Sequence, residues 1–505
     1  MNDGSDKLYK NFAKNSFYIY LLTYITAPFG YFIRILYTKN FSLSEFGMFY
    51  SIIGFYSILS ILCDIGFSNT FSYFGPKFYE KKEYSKLKSL LYYSVIIQII
   101  SSLIFGILIF VFSGYIAKYY FKDLASVKML YVLAVYFLFL NVSKPFHNFF
   151  LVKLNMFLNL LYTLLYLVLI FALSFFYIYF FDGTSIYIIG VIWGIVFAFM
   201  TLLYIFLIFF SFSEVFAKGT FFFEKSFFNQ IFNYAFYSAL SIGAILFLQK
   251  IDTQVITFFL GFEDVGLYEI SMSIANVIVV LFAPIQRLIF PLTSKLFESC
   301  KNELENIVSN VYSFLFYVTL PCVVFFSIFA KDIVAVLYDP KYFHSTLLIA
   351  ILSSSALIQV FFNMNYSVLA GLNKIKERNI VLILGGIMNL LLNILFVLIF
   401  GLNGIAFATF ISSFAIFLLS YVELNRNALK LKLKNIKSII FANIVFTLIL
   451  LFSNFFVPPF NILLRMIIIF IPAFLIYLII GFILKVYDIK LIKTLFNIKV
   501  KKNDK

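Results

Sequence analysis

The chain reads as an all-α polytopic membrane protein with about 14 transmembrane helices. They are expected as two parallel six-helix pseudo-repeats around a central cavity, followed by two extra helices. Three observations predict this. Hydrophobic residues make up 63% of the 505 and charged residues only 12%, against roughly 25% in a soluble domain; mean hydropathy is +1.00. Polar groups cannot cover that much apolar surface in water. The apolar residues also fall in runs of about 20, the length that spans a bilayer's hydrocarbon as a helix. Finally, the rarer residues recur at a constant spacing, which groups the helices.

The runs, read between charge clusters and Gly, Pro and Asn turns, lie roughly at 15–37, 44–66, 89–113, 127–150, 156–180, 185–212 and 233–256. They continue at 266–290, 309–329, 346–370, 379–400, 403–424, 438–456 and 462–484. Lys250, Asp252 and Glu269 intrude on the seventh and eighth. Met1–Lys10 is a polar tail without the features of a secretory signal, and the first run is too long for one, so it is expected to stay as a helix.

Charge orders the topology. With the N-terminus inside, 30 of the 39 basic residues fall on inside connections or tails, including Lys77, Lys81, Lys82, Lys86 and Lys88. The positive-inside rule then places both termini in the cytoplasm and the chain in the cell (inner, cytoplasmic) membrane. The formal net charge of +16 reads as this bias plus contact with anionic headgroups. Nucleic acid is excluded as a partner because the basic loops are short and scattered. Outside connections such as Phe181–Ser185 and Gly401–Gly404 are tight turns, and even Ala330–Ser345 is too short for a soluble domain. Cys63, Cys300 and Cys322 stand far apart, and His147 and His344 have too few companions to hold a metal, so no metal site and no catalytic residue is expected.

An offset of 218 aligns Asn15 with Asn233, Glu45 with Glu263, Lys77 with Lys295, Glu80 with Glu298, Asn155 with Asn373 and Gly183 with Gly401. Gly47-Met-Phe matches Gly266-Leu-Tyr at 219. Six helices per copy give both copies the same orientation, related by an axis along the membrane normal. The expected division is residues 1–218, 219–430 and 431–505, the last holding two helices and a basic cytoplasmic tail.

Three stretches carry a family resemblance. They are Tyr37-Thr-Lys-Asn-Phe-Ser-Leu-Ser-Glu-Phe-Gly-Met-Phe49, Asp64-Ile-Gly-Phe-Ser-Asn-Thr70, and Ile251-Asp252 followed by Gly266-Leu-Tyr268 and Pro291-Leu-Thr-Ser294. With the helix count and the repeat, the chain from Asn11 to about Leu484 resembles the oligosaccharide flippases of the multidrug/oligosaccharidyl-lipid/polysaccharide (MOP) exporter superfamily, whose fold includes the MATE exporters. The resemblance implies movement of a polyprenyl-diphosphate-linked glycan from the inner to the outer leaflet, for cell-surface polysaccharide or glycan biosynthesis. It implies no enzyme activity and no bound cofactor, with a proton or sodium gradient as the open choice of coupling. Membrane lipids, a polysaccharide polymerase and glycosyltransferases are the expected partners.

Such cargo needs cations for its phosphates and hydrogen-bonding groups for its sugars within about 30 Å of hydrocarbon. Arg34 lies roughly 28 Å along the first helix from Asn15, against the positive-inside bias; a guanidinium suits bidentate phosphate binding, while snorkelling to outer headgroups is the bland reading. Lys250 and Arg287 are the other diphosphate candidates. Arg287 lies between Pro284 and Pro291, where the eighth helix is expected to bend. Arg34 and Asp252 are counterparts in the repeat and form a candidate outer gate; Asp252 meeting only Lys250 or water is the alternative. A polar set near the inner ends comprises Asn141, Lys144, His147 and Asn148 in one repeat and Gln359, Asn363 and Asn365 in the other. Their spacing puts stripes on single helix faces, for sugar contact, cavity lining or interhelical bonding.

Two other functions compete. A multidrug exporter of the same superfamily needs mid-membrane acid for cationic drugs, and Leu21–Phe32 holds none. A membrane glycosyltransferase or polysaccharide polymerase needs larger outside loops than these.

Overall fold

The computed structural model describes residues 24–153, 156–221, 223–297, 301–426, 429, 431, 433–457, 461–484 and 486. Among these residues there is no strand. The helices are α1 (24–40), α2 (Leu43–Asp64), α3 (Phe67–Glu80), α4 (Tyr84–Ile116), α5 (Ser126–Phe149), α6 (Met156–Phe180), α7 (Ile186–Ser211) and α8 (Ser213–Lys218). They continue as α9 (Lys225–Phe259), α10 (Phe262–Leu296), α11 (Lys301–Ile328), α12 (Ala330–Leu337), α13 (Thr346–Gly371), α14 (Ile375–Arg426), α15 (Ile436–Phe456) and α16 (Ile462–Ile483).

Twelve of these helices are long and apolar enough to cross a membrane. Two adjustments reconcile this with about 14 runs. The 52-residue α14 leaves helical geometry at Gly401 (φ 58°, ψ −137°) and holds two expected runs. The expected tight turn is present there: the two limbs fold back on each other, with Asn389 Nδ2 donating to Ser412 Oγ at 3.0 Å and a Cβ on Gly385 lying 2.2 Å from the Ile416 side chain, and glycine tolerates the positive φ best. The other adjustment is α1, the continuation of the first run, whose start at 15–23 lies outside the described residues, as does the basic tail from 487 onward. The expected all-helical fold is the one observed.

Three short helices were not foreseen. The residues of α3 fall between the expected runs 44–66 and 89–113. The helix forms because Ile65 and Gly66 turn left-handed (φ 44° and 77°) and Asp64 then accepts hydrogen bonds from the Ser68 N–H (3.1 Å) and Ser68 Oγ (2.6 Å), capping the first turn. The Ala330–Ser345 connection likewise folds, as α12 and a 3₁₀ segment.

The chain packs as two units over their described residues: Met1–Ile270 with Asn393–Ile405, and Ser271–Leu392 with Ala406–Lys505. In the first, α5 packs on α4 and α7, and α2 on α9. Polar pairs tie helices where lipid could not: Tyr37 Oη lies 2.9 Å from Ser174 Oγ and accepts from Trp193 Nε1 at 3.0 Å. Each such bond in a membrane is worth about 1 kcal/mol. Gly66 has the Ala235 carbonyl of α9 so close that a Cβ would lie 2.0 Å from it.

In the second unit, α11 packs on α13 and α15, and α15 on α16. Tyr317 and Tyr477 stack at 4.3 Å and 11°, and each hydroxyl donates to the other residue's carbonyl at 2.5 Å. Gly481 leaves room for the Tyr317 ring. This reciprocal pair fastens α16 to α11.

Candidate functional site

Two polar clusters interrupt the apolar interior of the first unit. The first gathers at the end that the charge bias assigns to the outside. Arg34 of α1 has Nη2 3.6 Å from Glu269 Oε2 of α10, and its guanidinium carbon lies 5.1 Å from the Tyr50 ring centre of α2. Thr253 of α9 donates to Glu269 Oε1 at 2.9 Å. One turn of packing away, Asp252 accepts from Tyr268 (2.6 Å) and from Asn393 Nδ2 of α14 (2.6 Å). Asp252 and Glu269 are only 3% and 5% exposed, whereas the Arg34 side chain keeps 26% of its surface open. Burying two carboxylates is costly unless each is hydrogen-bonded or paired, and both are. A partly open guanidinium backed by a carboxylate and an aromatic face can exchange the carboxylate for the paired oxygens of a phosphate.

Sequence reasoning chose Arg34 and Asp252 as each other's gate partners. The structure sets Arg34 against Glu269, and Asp252 against Tyr268 and Asn393. Glu269 was visible only as a charge intruding on an apolar run; its i, i+16 relation to Thr253 through the α9–α10 corner gave no periodic signal. Lys250 stands half-buried on α9. The backbone of Arg287 lies in α10, which continues through Pro284 and Pro291 as one helix, and its side chain lies outside the described residues.

The second cluster is at the other end of α5. Asn141 Oδ1 accepts from Ser60 Oγ of α2 (2.5 Å) and from Lys144 Nζ (3.1 Å), and Lys144 also donates to Ser60 Oγ. One turn along α2, Asp64 Oδ1 accepts from Gln98 Nε2 of α4 at 2.5 Å, and Gln98 is fully buried. The expected stripe is therefore split in use. Asn141 is buried in interhelical bonding, Lys144 and Asn148 are half-buried, and the His147 ring centre sits 5.5 Å from that of Tyr204. Ser60, Asp64 and Gln98 belong to this network and were missed, because single polar residues on three different runs share no spacing. In the second unit the fully buried Asn365 donates to Ser420 at 2.7 Å, while Gln359 and Asn363 are half-buried.

The chain is similar to several known proteins. Residues 12–297 match the family model described as polysaccharide biosynthesis protein. The chain is 25% identical over 431 residues to an uncharacterized membrane protein of Methanocaldococcus jannaschii, covering 83% of this chain and 85% of that one. It is 25% identical over 228 residues to the "probable low-salt glycan biosynthesis flippase" of Haloferax volcanii, covering 43% and 48% of the two chains. Among solved structures, lipid II flippase MurJ in an inward closed conformation superposes with a TM-score of 0.73 at 16% identity, over 92% of this chain and 97% of that one. An inward-facing multidrug resistance MATE transporter of the MOP superfamily gives 0.67 at 14%, over 79% and 94%. These two likenesses establish a MurJ- and MATE-like fold.

Proposed function

Because the chain belongs to the polysaccharide biosynthesis protein family, we propose that it is a flippase that moves a polyprenyl-diphosphate-linked oligosaccharide from the inner to the outer leaflet by alternating access. The family match across residues 12–297 carries this reading, and the names of the Haloferax relative and of MurJ agree with it. The protein then acts as a transporter and not as an enzyme. It sits in the cytoplasmic membrane with both termini inside, supplied by glycosyltransferases and feeding a polymerase.

The physical task matches the groups present. The prenyl tail stays in lipid, while the diphosphate needs cations inside the hydrocarbon. Arg34 supplies one, with Lys250 and Arg287 as further candidates. Phosphate competing for Arg34 releases Glu269, which weakens the cross-helix tie as cargo loads and couples loading to opening. Asp252 remains the candidate counter-charge if that tie rearranges. Asn141, Lys144, His147, Asn148, Gln359, Asn363 and Asn365 are the groups for sugar hydroxyls or the lining of the path. A proton or sodium gradient drives the cycle.

The test is reconstitution. Proteoliposomes holding the purified chain should move a fluorescent polyprenyl-diphosphate glycan to the opposite leaflet, read by loss of its accessibility to an added lectin. Protein-dependent efflux of a cationic dye, with no movement of the glycan lipid, would instead establish the multidrug reading.

A further inference from the structure

A concave surface in the first unit belongs to neither polar cluster. It lies between α3 and α9, at the end where the basic residues gather, and encloses about 380 Å³. Tyr73 of α3 and Tyr234 of α9 stack across it at 4.6 Å and 16°, and Phe74 meets Tyr234 edge-on at 5.3 Å. On α3, Lys77 follows Tyr73 by one turn, so both share a helix face, and the Lys77 ammonium rests 3.5 Å from the Tyr73 ring centre. Lys81 lines the same cleft at the helix end, and Gln230, one turn before Tyr234 on α9, lines the opposite wall.

The corner that closes the cleft is fixed. Lys82 takes a left-handed turn (φ 57°), with its N–H on the Tyr79 carbonyl (3.1 Å) and the Glu83 N–H on the Phe78 carbonyl (2.8 Å). Glu83 lines the cleft and also the neighbouring hollow of about 560 Å³, whose rim carries Lys82, Lys86 and Lys218. Glu83 is held by Lys86 at 3.2 Å.

Each group has a use in one class of ligand. Ammonium groups on a rigid helix end bind phosphate oxygens through charge-assisted hydrogen bonds. Aromatic walls with a few convergent polar groups are how proteins grip small polar ligands of mixed surface, and the C–H faces of a pyranose are such a surface. An amide and a carboxylate at the rim suit its hydroxyls. An ordinary phospholipid headgroup would use the lysines and leave the aromatic wall and Gln230 idle. A bare basic loop would need none of this concavity.

We infer that the α3–α9 cleft is a docking site for the sugar-diphosphate headgroup of the lipid-linked cargo at the basic face of the membrane, where the headgroup is captured before it enters the transport path. This rests on the flippase reading above. The cleft acts as a first station, separate from Arg34: Lys77 and Lys81 take the diphosphate, and Tyr234 and Gln230 take the first sugar.

The test uses the full chain in phosphatidylcholine nanodiscs, with citronellyl diphosphates bearing a hexose, an N-acetylhexosamine or no sugar as probes, and binding read by thermophoresis. At least one sugared probe should bind more tightly than the bare diphosphate. Lys77→Gln should weaken all three about tenfold, a loss of roughly 1.4 kcal/mol, and Lys77→Arg should restore most of it. Gln230→Ala and Tyr234→Leu should weaken only the sugared probes. Two results overturn the proposal: unchanged binding in Lys77→Gln, or equal affinity for sugared and bare probes with Gln230→Ala silent. In the second case, competition by phosphatidylglycerol in the nanodiscs identifies the cleft as a phospholipid headgroup site. Flipping is measured separately. If the cleft binds as expected while the wild-type chain moves no glycan lipid, the flippase reading fails and the docking site stands.

Discussion

Gly47 of α2 and Gly266 of α10 occupy each other's only clearance. A Cβ on Gly47 would lie 1.7 Å from the Phe262 carbonyl oxygen and 3.0 Å from the Gly266 nitrogen, and one on Gly266 would lie 2.9 Å from the Leu43 carbonyl oxygen. These are the two glycines that the repeat aligns at a spacing of 219, so equivalent helices of the two repeats meet at their most closely packed point. Small residues permit such close approach within membranes, and one turn further along α2 Ser51 Oγ meets Thr257 Oγ1 of α9 at 2.6 Å.

Under the proposed alternating access, outward opening parts this seam. Gly47→Val and Gly266→Val should therefore favour the parted state. An engineered cysteine at Ser51 should react several-fold faster with a water-soluble maleimide in either variant than in the parent. Gly106→Val is the control, because nothing lies within 4 Å of a Cβ there. Equal acceleration by the control would mean general loosening and would remove the seam from the mechanism.

Arg34 and Glu269 make the second testable pair. The Nη2–Oε2 distance is 3.6 Å, and the arginine is about a quarter exposed. That places its coupling between the 0–1 kcal/mol of a surface pair and the larger cost of breaking a buried one, at about 1–2 kcal/mol. Arg34→Glu and Glu269→Arg should each speed labelling of the same seam cysteine, and the double exchange should slow it again. The parallel exchange of Arg34 with Asp252 should recover less, because Tyr268 and Asn393 already serve Asp252. Better recovery from the Asp252 exchange would reinstate the pairing that the repeat suggests. Transport need not return in either double variant, since a displaced guanidinium no longer meets the phosphate.

Two buried asparagines, Asn141 in the first unit and Asn365 in the second, should differ in what they hold. Asn141 Oδ1 serves a hydroxyl and an ammonium together, whereas Asn365 donates to a single hydroxyl. Hydrogen bonds to charged groups contribute roughly 1.5–3 kcal/mol and neutral ones about 1 kcal/mol. Asn141→Ala should therefore lower the thermal unfolding temperature in detergent more than Asn365→Ala does. Adding Lys144→Met to Asn141→Ala should recover part of the loss, because no half-buried ammonium is then left short of acceptors. Equal melting of the two single variants would show that Lys144 reaches water instead.

What the sequence disclosed follows from the length scales of its signals. A run of about 20 apolar residues between basic clusters is a strong local signal, and over the described residues each expected run falls on a helix, with two of them on the two limbs of α14 that meet at Gly401. The meeting of Gly47 and Gly266 was half legible: the alignment of the two glycines was visible, but not that they touch. The clusters were legible only where charge was rare. Arg34 and Asp252 stood out on that ground, yet the partner of Arg34 came from the start of another run, and partner choice across helices leaves no periodic trace. The α3 helix was hidden because its residues fall between two expected runs, whereas Gly66 supplies a left-handed entry and Asp64 the cap.

Topology offers the broadest check. Thr184, in the α6–α7 turn, and Asn403, in the turn at Gly401, are exposed, and so is Lys82 at the α3–α4 corner. The basic residues concentrate on the Lys82 side, and a cytoplasmic excess of lysine and arginine orients membrane chains. With the native cysteines replaced, single cysteines at positions 184 and 403 should be labelled by an impermeant maleimide in intact cells, and one at position 82 only after the membrane is opened. The native cysteines must go first to clear the background, although Cys63 is itself buried. Labelling at 82 in intact cells would reverse the orientation. The α3–α9 cleft would then face the outer leaflet, making it a site of release instead of capture, and Arg34 would lie at the inner end of the path.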